Sequence, residues 1–322
     1  MTTAQANSDI IRVMLWSVPR SVSTSFLKCM TSVPDSKTWH EPFWAAFSFS
    51  NYGKYRQILV GSIQHAWRDK LDGHDNVDTA SFASGILGGY WAADKSYSWI
   101  KNQLECVPPA DNKKVVFAKD ISAGIEGMYE YLPDGFRHSF LIRHPYKVFD
   151  SWERLLNQAV EDESKRVKMT ELPEFILPTG MFFKEQYDLY EHVKEHYEPN
   201  PVIIDTDDLL ADPGRVLKAY CEQVGIPYSD DLLKWKPGRE CMDKQWMVAK
   251  EQIFVQNFSN VHGKTFASSG FGKPTKVLDR DELSDDVRHC SDACMEYYEA
   301  MYANRFESLS RGIRKNDLSV DF

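Results

Sequence analysis

Four short runs of consecutive apolar residues punctuate the chain, at positions 11–16, 114–117, 139–142 and 202–204. They have the length of strands and lack polar alternation, so both faces of each are expected to be buried, as in a parallel sheet covered on both sides. Between and after them, apolar residues recur at helical spacing in 22–30, 146–158, 181–197, 213–224 and 284–302. The chain thus reads as repeated βα units, and the pattern predicts an open α/β fold with a central parallel sheet flanked by helices in three layers. Helix 213–224 is the best punctuated: Asp212 and Pro213 start it and Gly225 stops it. Charge clusters at 161–168 and 279–286 read as a solvated loop or fraying helix end and as the acidic opening of the last helix. No repeat or Gly/Ser linker marks a boundary, so residues 1–322 read as one domain, with a core over about 11–275 and a C-terminal helical extension over 280–322.

Composition narrows the function. With 322 residues, 43% of them hydrophobic, the chain can bury a sizeable core. Its net charge of −9 argues against a nucleic-acid partner, which would need a dense basic surface, but leaves room for one basic pocket. The longest uncharged window, 79–93, falls short of the ~20 apolar residues that span a bilayer, and the run 10–16 is interrupted by Arg12. No membrane partner is expected. Six cysteines without a C-x-x-C pair fit reduced thiols and a cytoplasmic location.

Two stretches carry candidate chemistry. The first strand runs into Ser17-Val18-Pro19-Arg20-Ser21-Val22-Ser23-Thr24-Ser25 and then a helix. Backbone N–H groups at a helix N-terminus, hydroxyls and a guanidinium together make an oxyanion site. The glycines and lysine of G-x-x-x-x-G-K-[ST] are absent, which disfavours nucleoside triphosphate hydrolysis. The second stretch is Phe140-Leu141-Ile142-Arg143-His144-Pro145 followed by a helix with Ser151. It places a cation at the carboxyl end of a strand, where open α/β sheets bind ligands.

Together these stretches resemble the sulfotransferase family, whose sulfuryl donor is 3′-phosphoadenosine-5′-phosphosulfate (PAPS). The resemblance assigns the 5′-phosphosulfate end to Arg20, Ser21, Val22, Ser23, Thr24 and Ser25, and the 3′-phosphate to Arg143 and to Ser151, eight residues on. It continues through the segment Val202-Ile203-Ile204-Asp205-Thr206-Asp207-Asp208-Leu209, with Thr206 where the family often has Tyr, and through Asp212-Pro213. It extends to Ser268-Ser269-Gly270-Phe271-Gly272-Lys273, where Ser269, Gly270 and Lys273 would cover the donor phosphates. Val22 stands where the family loop usually has Gly, and a β-branched residue resists positive φ, so the loop is expected to bend differently there or to use negative φ. The implied activity is sulfuryl transfer to a hydroxyl or amine of a small-molecule acceptor, without a metal. The alternatives are an ATP-dependent small-molecule phosphotransferase and a nucleotide-binding relative without chemistry.

Transfer needs a base for the acceptor proton and positive charge for the moving group. Glu41 in His40-Glu41-Pro42-Phe43 is the first candidate base, with His40 and Asp120 as rivals; Lys119 and Arg20 would stabilise the sulfuryl group. The position two after Lys119 is Ile121, where cytosolic members of the family carry His. His192-Val193-Lys194-Glu195-His196 has H-x-x-E-H spacing but lies in a highly charged stretch, as a solvated helix would, and no metal is expected there.

Overall fold

The computed structural model describes residues 10–50, 89–93, 95–107, 111–158, 160–174, 176–253 and 261–306. Residues 79–88 of the uncharged window, the N-terminal stretch 1–9 and the last part of the expected extension, 307–322, lie outside the described residues.

Six strands form one sheet: β1 (Ile11–Ser17), β2 (Ser36–His40), β3 (Val115–Ile121), β4 (Arg137–Ile142), β5 (Val202–Asp205) and β6 (Trp246–Val248). Their order is β5-β4-β1-β3-β2-β6 and every pairing is parallel. The described helices of the α type are α1 (Ser23–Met30), α2 (Pro42–Phe49), α3 (Tyr97–Glu105), α4 (Pro145–Leu156), α5 (Phe183–His196), α6 (Thr206–Ala211), α7 (Pro213–Val224), α8 (Gly263–Ala267), α9 (Asp285–Asp292) and α10 (Met295–Ala303).

The continuous apolar runs are continuous because two cores need them. One face of the sheet, with Met14, Trp16, Val116, Ala118 and Phe140, packs against residues of α2, α3, α4, α5, α9 and α10. The other, with Val13, Leu15, Val115, Phe117 and Leu141, packs against α1 and α7. Alternation along each strand sends neighbours to opposite cores, and the outcome is the three-layer α/β fold expected.

Helix α7 has the bounds read from its punctuation. Asp212 accepts from Arg215 N at 3.1 Å, and Gly225 closes the helix at φ 81, a left-handed conformation that suits glycine. The last predicted helix is divided into α9 and α10, and its acidic opening is a separate 3₁₀ turn (Arg280–Glu282) with a capping box from Asp279 and Glu282. These helices are not set apart from the core. Val287, Cys290, Cys294, Tyr298 and Met301 are buried in it, and the Tyr298 hydroxyl donates to Asp205 at 3.1 Å.

Candidate active site

β1 lies at the centre, and the chain leaves it first toward β3 and β2 and later toward β4 and β5. The carboxyl ends at this reversal of strand order are the natural ligand crevice of an open sheet. A cavity of about 1030 Å³ opens there, lined by residues that follow β1, β2 and β4, by Lys119 and Ile121 of β3, and by the segment from Val261 to Leu278.

The loop after β1 supplies the hydroxyl-rich start of α1 and one of the cavity's guanidinium groups. Ser23, Thr24 and Ser25 form the first turn of α1 and line the cavity, and no side chain caps that turn. Val22, at the N-cap, has φ 69, and Arg20 has φ 65. Of the two expectations for Val22, negative φ is corrected: the residue takes the left-handed conformation despite its β-branched side chain, at a cost of about 1–2 kcal/mol. The bend leaves the start of α1 facing the cavity. Ser21 is the exception among the expected contacts. It is fully buried, its hydroxyl donates to Val18 O at 2.7 Å, and it does not line the cavity. Thr206 secures the same turn from below, within hydrogen-bond distance of Ser21 O (2.9 Å) and Ile142 O (2.8 Å).

Arg20, Arg143 and Ser151 converge. Arg20 Nε donates to Ser151 Oγ at 3.1 Å and Nη1 to Val261 O at 2.8 Å, while Arg143 Nη1 donates to the Arg20 carbonyl. Arg143 Nε is buried without a hydrogen-bond partner. Among the described residues neither arginine is in ion-pair contact with a carboxylate. Burial, then the Arg143 and Arg154 charges, lower the proton affinity of Arg20. Two guanidinium groups at close range without a carboxylate between them form a site that an anion would relieve.

Loop 268–273 reaches the cavity with some of its residues. Gly270 and Lys273 line the cavity together with Ser268, Lys264 and Lys276. Ser269 does not; it is exposed and its carbonyl accepts from Trp235 N at 3.1 Å. Lys147, which the sequence reading passed over, is buried and donates to Asp207 at 2.7 Å and to Thr275 O, tying this segment to α4.

On the other side of the cavity, Lys119 and Asp120 part company, as consecutive strand residues must. Lys119 is 2% exposed and its ammonium is hydrogen-bonded to Glu41 Oε1. Gln252 Nε2 donates to Glu41 Oε2 at 3.2 Å. Burial works against the Glu41 charge, but Lys119 and the imidazoles of His40 and His262 outweigh it and hold the carboxyl at about 2. Glu41 itself has φ 50. Asp120 points the other way. Its carboxylate accepts from the backbone N–H groups of Phe43 (2.6 Å), Trp44 (3.1 Å) and Ile121 (2.8 Å), so it caps α2 and does not line the cavity. Burial pushes its carboxyl up to about 8 against those three donors. A role for Asp120 as base is hence not what the geometry offers.

His40 lies flat on Trp246, with centroids 5.3 Å apart, and both ring nitrogens are buried without a hydrogen-bond partner. An unsatisfied buried polar atom costs about 1–3 kcal/mol. His262, which no sequence pattern singled out, approaches Thr24 Oγ1 at 3.4 Å and packs edge-on against His40. Burial lowers both imidazoles, His40 to about 4 and His262 to about 3, so both are neutral near pH 7. Donor atoms of His40, Glu41 and His262 lie within 4.8 Å of one another. The sequence reading expected no metal; this ligand-capable trio joins the adjacent pair His40-Glu41 to His262, more than two hundred positions on, and has no spacing signature. His192 and His196, by contrast, stack on each other at 4.3 Å on α5, and the rim of their helix is exposed. The remaining wall of the cavity is apolar, with Trp44, Phe49, Trp152, Leu155, Ile176 and Phe182.

All six cysteines are free thiols, and among the described residues no helix is long and apolar enough to cross a membrane.

Comparison with known proteins gives the family. Two curated Arabidopsis thaliana proteins are similar: branched-chain-amino-acid aminotransferase-like protein 1, at 23% identity over 261 residues (81% of this chain), and protein 2, at 25% over 232 residues (72%). The chain spans about a third of their length, 36% and 33%. A solved structure, the sulfotransferase domain from the Synechococcus PCC 7002 olefin synthase, aligns over 90% of this chain and 94% of its own at 14% identity, with a TM-score of 0.43. The family model for the sulfotransferase domain matches residues 106–305, which hold Lys119, Arg143, Ser151 and the 268–273 loop. With that match over more than half its length, the chain belongs to the sulfotransferase domain family.

Proposed function

We propose that this chain transfers a sulfuryl group from PAPS to a hydroxyl or amine of a small, uncharged acceptor. The observation that carries the reading is the convergence of Arg20 and Arg143 near Ser151, without a carboxylate in ion-pair contact among the described residues, at the uncapped start of α1. In an acidic protein such a pair has little reason to exist without an anion, and the buried, unpartnered Arg143 Nε is a donor in want of an acceptor. These residues fit a bisphosphorylated nucleotide. The first turn of α1 and Arg20 would hold the 5′ end, and Arg143 and Ser151 the 3′-phosphate; Gly270, Lys264, Lys273 and Lys276 would close over it.

The donor supplies the activated sulfuryl group, and the chain supplies position, charge and a proton acceptor. Lys119 offers its ammonium to the oxygen that bridges donor and sulfuryl group. Glu41 is the proton acceptor that the geometry favours, because it stands on the cavity floor next to Lys119 while Asp120 is committed to α2. Its proton affinity is low in the free protein and rises when an anionic donor arrives beside it. The aromatic wall suits an apolar body behind the acceptor group. The free cysteines agree with a cytoplasmic setting.

Calorimetry with adenosine 3′,5′-bisphosphate and with ATP tests the donor. Tight binding of the bisphosphate and weak binding of ATP is expected; equal or tighter ATP binding would overturn the reading in favour of a phosphotransferase. For the base, Glu41→Gln should lower turnover by about 10²–10⁴-fold, and a near-wild-type rate would remove Glu41 from the mechanism.

A further inference from the structure

We propose that His40, Glu41 and His262 form a binding site for a divalent transition-metal ion, zinc being the best match. The trio is drawn from the end of β2, the N-cap of α2 and the residue before α8, and it meets on the cavity floor. Its donor atoms are within 4.8 Å of one another. Around a tetrahedral zinc with bonds of 2.0–2.2 Å, neighbouring donors stand roughly 3.4 Å apart. A modest inward turn of the side chains closes that gap.

A second observation is independent of this spacing. His40 is 1% exposed, neither of its nitrogens has a partner at hydrogen-bond geometry although Gln252 interacts with the ring, and Nε2 lies 3.7 Å from Glu41 Oε1. The ring is held flat on Trp246 and meets the ring of His262 nearly at a right angle, with centroids 5.5 Å apart. A metal ion would give it a partner. Two imidazoles and one carboxylate select zinc, cobalt or nickel over magnesium and calcium, which take oxygen ligands. Three protein ligands leave a fourth position facing the cavity.

Lys119 competes for the same oxygen. Its ammonium is hydrogen-bonded to Glu41 Oε1, so an ion on Glu41 must displace Lys119 or share its field. The metal-bound state and the Lys119–Glu41 pair therefore oppose each other. Under the transfer reading proposed above, zinc would inhibit; metal binding itself does not depend on that reading.

The test is titration of the full chain with Zn²⁺ by calorimetry and with Co²⁺ by visible absorption. One equivalent should bind, with the intense d–d bands of a four-coordinate cobalt site. Glu41→Gln and His262→Ala should each weaken binding at least about 10-fold, the minimum loss when even a supporting partner of a metal ligand is removed. Lys119→Met should strengthen it by about 10-fold or more, because a competing cation at contact range is gone. Absence of saturable binding to the wild-type chain overturns the proposal. So does binding that the first two substitutions leave unchanged, or that His196→Ala abolishes, which would assign the ion to α5. Thermal melts identify any variant that has failed to fold, and the wild-type cobalt spectrum then decides alone.

Discussion

Lys119 and Asp120 are adjacent in β3, yet they grip one turn from opposite sides of the sheet. Lys119 holds the side chain of Glu41 in the cavity, while Asp120 holds the N–H groups of Phe43 and Trp44 that follow it. An N-cap residue would ordinarily spend its own side chain on those donors. Here the neighbouring strand supplies the cap. Glu41 is thereby released, at the cost of a left-handed backbone.

Removing that cap should be felt in stability. Asp120→Ala is expected to lower the unfolding free energy by about 1–3 kcal/mol, since three buried N–H groups lose their acceptor. Asp120→Asn keeps an oxygen and should lose less. Urea melts of the two variants test the ranking.

The two-arginine site predicts how affinity is divided. Arg143→Ala should weaken adenosine 3′,5′-bisphosphate binding by about 1.5–3 kcal/mol, the range for a hydrogen bond to a charged group, and Ser151→Ala by about 0.5–1.5 kcal/mol. Calorimetry at two salt concentrations should also show a smaller salt dependence for the Arg143 variant.

Val22 predicts a gain. Glycine has no side-chain penalty at φ 69, whereas valine pays about 1–2 kcal/mol there; against this stands roughly 0.4–1 kcal/mol of extra freedom in the unfolded chain. Val22→Gly should thus match or exceed wild-type stability in a thermal melt. A drop of more than about 1 kcal/mol would mean that packing of the valine outweighs its strain.

Asp205 predicts a pH dependence. Burial, reinforced by Asp207, pushes its carboxyl from the ordinary 3.8 up to about 7, against the N–H of Asp207. Between those values the folded state binds more protons than the unfolded state, so this group's contribution to stability falls as pH rises, by at most about 1.4 kcal/mol per pH unit. Asn can keep the bonds from Asp207 N and Asp208 N. Asp205→Asn should therefore be more stable than wild type near pH 7 and similar near pH 4. Denaturation midpoints across that range give the answer, and parallel curves for the two proteins would refute it.

The fold was legible wherever a single segment determines its own state. Helix α7 was bounded to the residue because Asp212, Pro213 and Gly225 act locally, and four strands showed themselves by runs that only a doubly covered sheet would need. β6, with three residues, is too short for any periodicity, and the division of the last helix at Ala293–Cys294 has no local breaker to announce it. The site was legible in the same proportion. Arg20, Ser23, Thr24, Arg143 and Ser151 belong to strand–loop–helix units with recognisable order, and the fold brings them to one cavity. Asp120 looked like a candidate base because sequence cannot tell which face of a strand a residue takes when both faces are buried. Ser21 and Ser269 share the chemistry of their neighbours but turn away from the cavity. His262 was out of reach: its meaning depends on His40, Glu41 and Thr24, which lie more than two hundred positions away.

Arg20 is fastened to Ser151 and to Val261, separations of 131 and 241 residues. During synthesis, then, the side chain of Arg20 must wait for nearly the last described segment before its position is fixed. No nascent fragment ending before residue 261 would carry the finished cavity wall around Arg20.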